Sequence, residues 1–418
     1  PARRLARPDG DRAGCAEPPA EPPLSPPSRR VPSQNSSRLP ARRRRPDGEL
    51  TAGERIARIV ALLLLLAVFL AAIDVLGEGV AALGGGAAEG LFTGVAHPLA
   101  GLSVGILGTV LVQSSSVTTA TIVALVGAHA VSVEDAVPMV MGANIGTTIT
   151  NTLAALGSIR RSAEFRRAFA GATMHDFFNA FAVLVLLPLE IATGLLGRMA
   201  VALSAPLQGA EGGELHSPVE AALGWLPDLV RSGVDLVTPS ATVAGIVLIA
   251  LGLATLMVTL VAITKIMRVV IAGAAERSLN RVLGRSGALG IVIGALLTVA
   301  VQSSSITTSL LIPMIAAGVL TIENGYPVTL GANIGTTVTA LIASLAVPQI
   351  EGLQIALVHL LFNATGTLLF YPVPALRRLP LGAARRLADL AVERRAWVAA
   401  YIIGVFVVLP LVGTLVFR

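Results

Sequence analysis

Two short runs of hydroxyl- and amide-bearing side chains stand in an otherwise apolar chain. Gln113-Ser-Ser-Ser-Val-Thr-Thr119 recurs as Gln302-Ser-Ser-Ser-Ile-Thr-Thr308, and Gly142-Ala-Asn-Ile-Gly-Thr-Thr-Ile-Thr150 recurs as Gly331-Ala-Asn-Ile-Gly-Thr-Thr-Val-Thr339. Both recurrences are offset by 189 residues, so the spacing between the motifs is kept through the intervening loops. A weaker echo sets His175 and Asn179 against His359 and Asn363, at an offset of 184. Two motifs repeating in register mark an internal duplication.

The chemistry open to these residues follows from what they lack. Within 97–157 the charged residues are Glu134 and Asp135, and within 286–346 the only one is Glu323, so neither motif region holds a Lys or Arg. Neutral oxygens from Ser114, Ser115, Ser116, Asn144, Thr147 and Thr148, and from their mates Ser303, Ser304, Ser305, Asn333, Thr336 and Thr337, suit small alkali cations beside carbonyls freed by an unwound helix. Hydroxyl donors and helix N-termini suit an oxyanion equally well. An anion bound without a cationic side chain is poorly compensated at low dielectric, and co-bound cations would supply the missing charge. The membrane potential argues the same way. Moving one charge against about 100 mV costs ~2.3 kcal/mol, and a divalent anion about twice that, so two or more co-transported cations cancel or reverse the cost.

Gly142…Gly146 and Gly331…Gly335 have the spacing that lets membrane helices pack, and membrane serines are often hydrogen-bonding glue. Packing explains one copy of either motif more readily than two copies in register. His175, Asp176 and Asn179 read as a hydrogen-bonded helix contact, with a proton relay as the alternative. Asp74, Glu78 and Glu190 sit near span ends and read as interfacial. Ser115 with His175 and Asp176 is no hydrolase, because no nucleophile elbow frames the serine. No enzymatic activity, catalytic residue, cofactor or other metal is expected.

The elements that must position these motifs are membrane helices. Of 418 residues, 54% are hydrophobic and 13% charged, about half the charge of a soluble domain. Uninterrupted apolar runs such as 59–72 and 243–263 need lipid as solvent. The net charge of +6 is placed unevenly: residues 1–54 hold 11 Arg, 7 acids and 11 of the 25 Pro, with Arg42–Arg45 consecutive. That stretch is expected to be a disordered cytoplasmic tail beside an anionic membrane surface, not a nucleic-acid-binding face. Cys15 is the single cysteine, which rules out an intrachain disulfide.

Apolar stretches fall at about 56–76, 98–128, 136–157, 168–196, 240–264, 286–318, 326–346, 352–373 and 396–417. Two of them, 98–128 and 286–318, exceed one span and carry the Gln-Ser-Ser-Ser run near the middle. Each predicts a re-entrant hairpin, leaving seven spans. Irregular backbone at membrane depth survives where protein or a watery cavity satisfies it. Lys and Arg concentrate in 1–58, 158–167, 265–285 and 377–395 and are absent from 77–97 and 347–351. The charge bias then puts the N-terminus inside and loop 197–239 outside; it also places the acidic turn at Glu323 inside, the one point that runs against the scheme. Repeat one enters from a non-basic loop and leaves into a basic one; repeat two does the reverse. The expected fold is therefore an all-α polytopic membrane protein of two inverted-topology repeats, each with a re-entrant hairpin and a broken Gly-Ala-Asn-Ile-Gly-Thr-Thr helix, the build of secondary transporters. Its expected parts are the tail 1–54; a first helix and external loop, 55–96; repeat one, 97–196; an extracytoplasmic loop, 197–239; a connecting helix and cytoplasmic loop, 240–285; repeat two, 286–376; and a cytoplasmic loop with the last helix, 377–418.

Over about 97–372 the chain resembles the type II sodium-dependent phosphate cotransporters. The resemblance is carried by both duplicated motifs and by Glu164-Phe-Arg-Arg-Ala-Phe-Ala-Gly-Ala-Thr-Met-His-Asp-Phe-Phe-Asn179. It implies import of inorganic phosphate by sodium symport in a cell membrane, through alternating access around a site where the two hairpin tips meet. By motif position it implies phosphate contacts from Gln113, Ser114, Ser115, Ser116, Ser303, Ser304 and Ser305. It implies sodium contacts from Gln302, Ser303, Asn333, Thr336 and Thr339, with Asn144, Thr147 and Thr148 as their counterparts. The chain departs from the animal members in its short, cysteine-free loop 197–239, and no soluble domain is expected after residue 418. Asn151 faces Ala340 and Thr121 faces Leu310 across the repeats, so the halves are expected to bind different ions. Transport of another oxyanion or a small carboxylate, or phosphate sensing without flux, are the competing readings.

Overall fold

A computed structural model describes residues 52–82, 97–207, 225–282 and 287–417. Most of the expected tail, and parts of the loops after 82, 207 and 282, lie outside these residues. The chain runs as α1 (Ala52–Ala82), α2 (Pro98–Val112), α3 (Ser115–Gly127), α4 (Val133–Gly146), α5 (Ile149–Ala155), α6 (Ser162–Thr193), α7 (Leu195–Ser204) and α8 (Trp225–Val237). It continues as α9 (Ala241–Val282), α10 (Gly287–Val301), α11 (Ser304–Ala316), α12 (Ile322–Ala343), α13 (Ile350–Phe370), α14 (Pro374–Glu393), α15 (Ala396–Ile403) and, after a π turn at Gly404–Val408, α16 (Leu409–Val416). Among the described residues, six segments are long and apolar enough to cross a membrane: Ile56–Ala82, Ser162–Thr193, Ala241–Ile263, Ile322–Ala346, Ile350–Phe370 and Ala396–Val416. Their outward faces are apolar and exposed, with Leu64 63% and Leu415 75% accessible, as lipid-facing positions require. The protein is an all-α, multi-pass membrane protein.

Both Gln-Ser-Ser-Ser runs break a helix at the glutamine. Gln113 and Gln302 take the left-handed region, with φ of 57° and 56°. The serine that follows is extended and caps the next helix: Val117 N–H donates to Ser114 Oγ at 3.3 Å, and Ile306 N–H to Ser303 Oγ at 3.4 Å. The chain then doubles back, and the Thr298 and Thr307 hydroxyls meet at 2.9 Å across the second hairpin.

The duplication extends to the packing. A Cβ on Gly142 would strike the Leu102 carbonyl, and one on Gly331 the Ile291 carbonyl, 189 residues on. Gly146 and Gly335 repeat the relation, each with a built Cβ 2.7 Å from the Cβ of Thr109 or Thr298. Glycine thus lets α4 and α12 press backbone to backbone against the first arm of their own hairpins. The helices ahead of the hairpins are α1 and α9. These two helices pack on each other where a Cβ on Gly252 would lie 2.9 Å from Leu76 N, and one on Gly79 would lie 2.7 Å from Ile249 N.

The two hairpins end in different surroundings. The turn after α11 lies against Arg166, Arg167, Glu323 and Arg385, and Arg385 pairs with Glu323 while Arg166 pairs with Asp389. Gly127 and Ala128, at the end of α3, border a cavity of about 530 Å³ with Asp74, Glu78, Asp228 and Gln349. Glu323 therefore sits within the basic segments.

One expectation is corrected. The Gly-Ala-Asn-Ile-Gly-Thr-Thr helix is divided in the first copy, at Thr147 and Thr148, where Thr148 N–H reaches back three residues to Ile145 O at 3.3 Å, so the segment expected at 136–157 is the pair α4–α5. In the second copy α12 runs unbroken from Ile322 to Ala343. The motif is the same in both, but the residues after it differ, with Asn151 and Thr152 where the second copy has Ala340 and Leu341.

Candidate functional site

The two hairpin tips face one cavity of about 390 Å³, within the roughly 300–1,000 Å³ typical of small-ligand sites. Gln113, Ser114, Ser115 and Ser116 line it from the first hairpin, and Gln302, Ser303, Ser304 and Ser305 from the second. These residues lie 189 apart in sequence, and the fold brings them together by using the same hairpin twice. Ser114 and Ser303 stand at the N-termini of α3 and α11, so both helices turn their positive ends toward the cavity. The cavity's remaining wall is a face of α9, with Met257, Leu260, Val261 and Lys265.

Each tip is tied to the motif helix of its own repeat. Thr150 Oγ1 donates to Gln113 Oε1 at 3.4 Å, and Thr339 Oγ1 to Gln302 Oε1 at 3.0 Å. Each glutamine also donates back to its own helix, Gln113 to Val110 O at 2.5 Å and Gln302 to Val299 O at 2.6 Å. Both glutamine amides are thus oriented by matching partners.

The other motif residues lie away from the cavity wall. Asn144 and Asn333 are buried in a layer of amides and imidazoles between the repeats. Asn333 Oδ1 lies 2.5 Å from His175 Nε2, and Asn333 Nδ2 donates to Asn179 Oδ1 at 2.7 Å. Asn144 Oδ1 accepts from Asn363 Nδ2 at 3.2 Å and faces His359 Nε2 at 3.4 Å. Thr147, Thr148 and Thr336 turn their hydroxyl protons back onto carbonyls of their own helices, at 2.8–2.9 Å, and keep oxygen lone pairs to offer.

The first repeat also reaches across at Asn151. Its Nδ2 lies 2.7 Å from Thr308 Oγ1, and its Oδ1 accepts from Thr308 Oγ1 at 3.0 Å and Ser309 Oγ at 3.1 Å. No equivalent bond is possible from Ala340. Asp176 makes helix contacts: its Oδ2 accepts from Tyr401 Oη at 2.5 Å and Thr152 Oγ1 at 3.2 Å. Two features escaped the sequence reading. The crossing of each His-x3-Asn pair to the opposite repeat was hidden, although the 184-residue echo pointed at the residues. Lys265 was counted with a loop, although α9 carries it past the apolar segment to the cavity.

Comparison with known proteins follows this geometry. The family described as Na+/Pi-cotransporter matches residues 68–207 and 255–377. The chain is 35% identical over 395 residues to sodium-dependent phosphate transport protein 2A of Ovis aries, covering 77% of this chain and 62% of that protein. It is 33% identical over 446 residues to sodium-dependent phosphate transport protein 2B of Homo sapiens, covering 85% and 64% respectively. The chain thus spans somewhat under two thirds of the length of these relatives. No solved structure matches it.

Proposed function

Because the chain belongs to the Na+/Pi-cotransporter family, we propose that it imports inorganic phosphate by sodium symport, as a secondary active transporter working through alternating access. The observation that carries this reading is the single cavity lined by both Gln-Ser-Ser-Ser tips. Paired hydroxyls and two helix N-termini offer a tetrahedral oxyanion donors from opposite sides. The relatives named above are sodium-dependent phosphate transport proteins, which favours phosphate over another oxyanion or a carboxylate.

In this reading Gln113, Ser114, Ser115, Ser116, Ser303, Ser304 and Ser305 hold phosphate. Gln302, Ser303, Asn333, Thr336 and Thr339 hold sodium, with Asn144, Thr147 and Thr148 as a second, unequal set. Sodium is cargo, and it supplies positive charge that makes the divalent anion tolerable at low dielectric. The repeats are inverted in the membrane. Support comes from the hairpin ends: the second meets Arg166, Arg167 and Arg385, and the first meets Asp74, Glu78 and Asp228. The arginine-bearing face is then cytoplasmic, with the N-terminus, in a cell membrane. No step requires covalent chemistry.

The test is radiolabelled phosphate uptake into proteoliposomes under an inward Na+ gradient, against choline and against a pH gradient. Accumulation with Na+ alone is the expected result. Flux under none of the gradients, with phosphate binding intact, would replace the transporter by a sensor.

A further inference from the structure

We propose that Lys265 is the resident cation of the cavity between the two hairpin tips and holds the tetrahedral oxyanion through its ammonium group. The inference rests on reading that cavity as the phosphate site. Both motif regions lack Lys and Arg, so the residues that build the tips bring donors and no charge. The fold supplies the charge from elsewhere. Lys265 lines the cavity together with Met257, Leu260 and Val261 of α9. Positions 257, 261 and 265 are spaced by one helical turn, so they form one stripe, and that stripe is the wall facing the serines. The lysine thus lies on the side of α9 turned to the tips.

A lysine just past the end of an apolar segment, here Ala241–Ile263, ordinarily extends its head group toward the membrane surface. Here the head group has another use. Lys265 forms no ion pair among the described residues, whereas Arg166, Arg231 and Arg385 each have an acidic partner. No acid among the described residues lines the cavity to neutralise it. A compact, flexible ammonium with three donors, opposite two helix N-termini, is a receptor for a phosphate-like anion. Neither tip carries a charge of its own, so the charge enters from α9. One charge of a divalent anion is then met by the protein, and sodium has correspondingly less to supply.

The experiment is equilibrium binding of radiolabelled inorganic phosphate to the purified full-length protein in saturating Na+, followed by Na+-driven uptake by the same samples in proteoliposomes. Lys265→Met is expected to weaken phosphate binding at least tenfold and Lys265→Arg to restore most of it. Both should elute as monodisperse protein, because the side chain is exposed in the cavity. Lys265→Cys, made in a Cys15→Ser background, adds a test of charge that a packing role would not pass. A thiol reagent adding an ethylammonium group should recover binding, and one adding an ethylsulfonate should not. Wild-type affinity in Lys265→Met, or equal recovery with either reagent, would overturn the proposal and leave the symport reading intact. Lysine-dependent binding without Na+-driven uptake would overturn the symport reading and uphold this one. A wild-type protein that binds no phosphate would remove both.

Discussion

His175 of the first repeat completes the second: its Nε2 lies 2.5 Å from Asn333 Oδ1, and Asn333 Nδ2 passes the bond on to Asn179 Oδ1 at 2.7 Å. The reverse crossing, from His359 and Asn363 to Asn144, is longer, at 3.4 and 3.2 Å. Asparagine and imidazole therefore join the halves through buried groups. Asn333→Ala strands two buried groups, each worth about 1–3 kcal/mol. Thermal unfolding in detergent should fall more for Asn333→Ala than for Asn144→Ala, and sodium-stimulated uptake should vanish in Asn333→Ala. An equal or reversed order would contradict the inequality of the two crossings.

The left-handed glutamines offer a test of the hairpin tips. Gln302→Ala and Gln302→Gly both remove the acceptor for Thr339 Oγ1. They differ in backbone freedom at a φ of 56°, where a Cβ costs about 1–2 kcal/mol. The glycine variant should be the more stable by roughly that amount in thermal unfolding. Both should lose phosphate uptake, because neither can orient the tip. The same ordering is expected at Gln113.

Glycine packing gives the most severe prediction. Gly142→Ala and Gly331→Ala drive a methyl into a facing carbonyl that belongs to backbone, where nothing gives way. Neither is expected to yield monodisperse protein in size-exclusion chromatography. Gly157→Ala, whose Cβ would meet open space, is the control and should behave as wild type.

Asn151 predicts a difference between two threonines in equivalent positions. Thr308→Val cuts the link to Asn151 and leaves a buried amide short of partners, whereas Thr119→Val removes bonds to its own helix alone. Thr308→Val should cost about 1–3 kcal/mol more than Thr119→Val and lower uptake further. Equal effects in unfolding and transport would mean that Asn151 does not anchor the second hairpin.

Much of this architecture could be read from residue order. The Gln-Ser-Ser-Ser runs mark the hairpin breaks because three consecutive serines cannot continue an apolar span unaided, the constant 189-residue offset marks the duplication, and the resemblance implies that the two tips meet. The spans followed from uninterrupted apolar runs. What stayed hidden depends on tertiary neighbours. Identical Gly-Ala-Asn-Ile-Gly-Thr-Thr segments are divided in α4–α5 and continuous in α12, so the motif by itself does not decide the break. His175 and Asn179 were visible as a pair, but a helix face does not name the helix opposite. Lys265 was assigned to a basic loop on charge clustering, since periodicity cannot tell that α9 continues to Val282.

The stripe of α9 that closes the cavity has one more effect. Two matched tips by themselves would hold a tetrahedral ligand midway between them, on the axis that exchanges the halves. With the Lys265 ammonium on the α9 side and no charged side chain from either tip, an anion in the cavity is pulled off the midpoint toward α9. A fold assembled from two near-equal copies thereby acquires a front and a back.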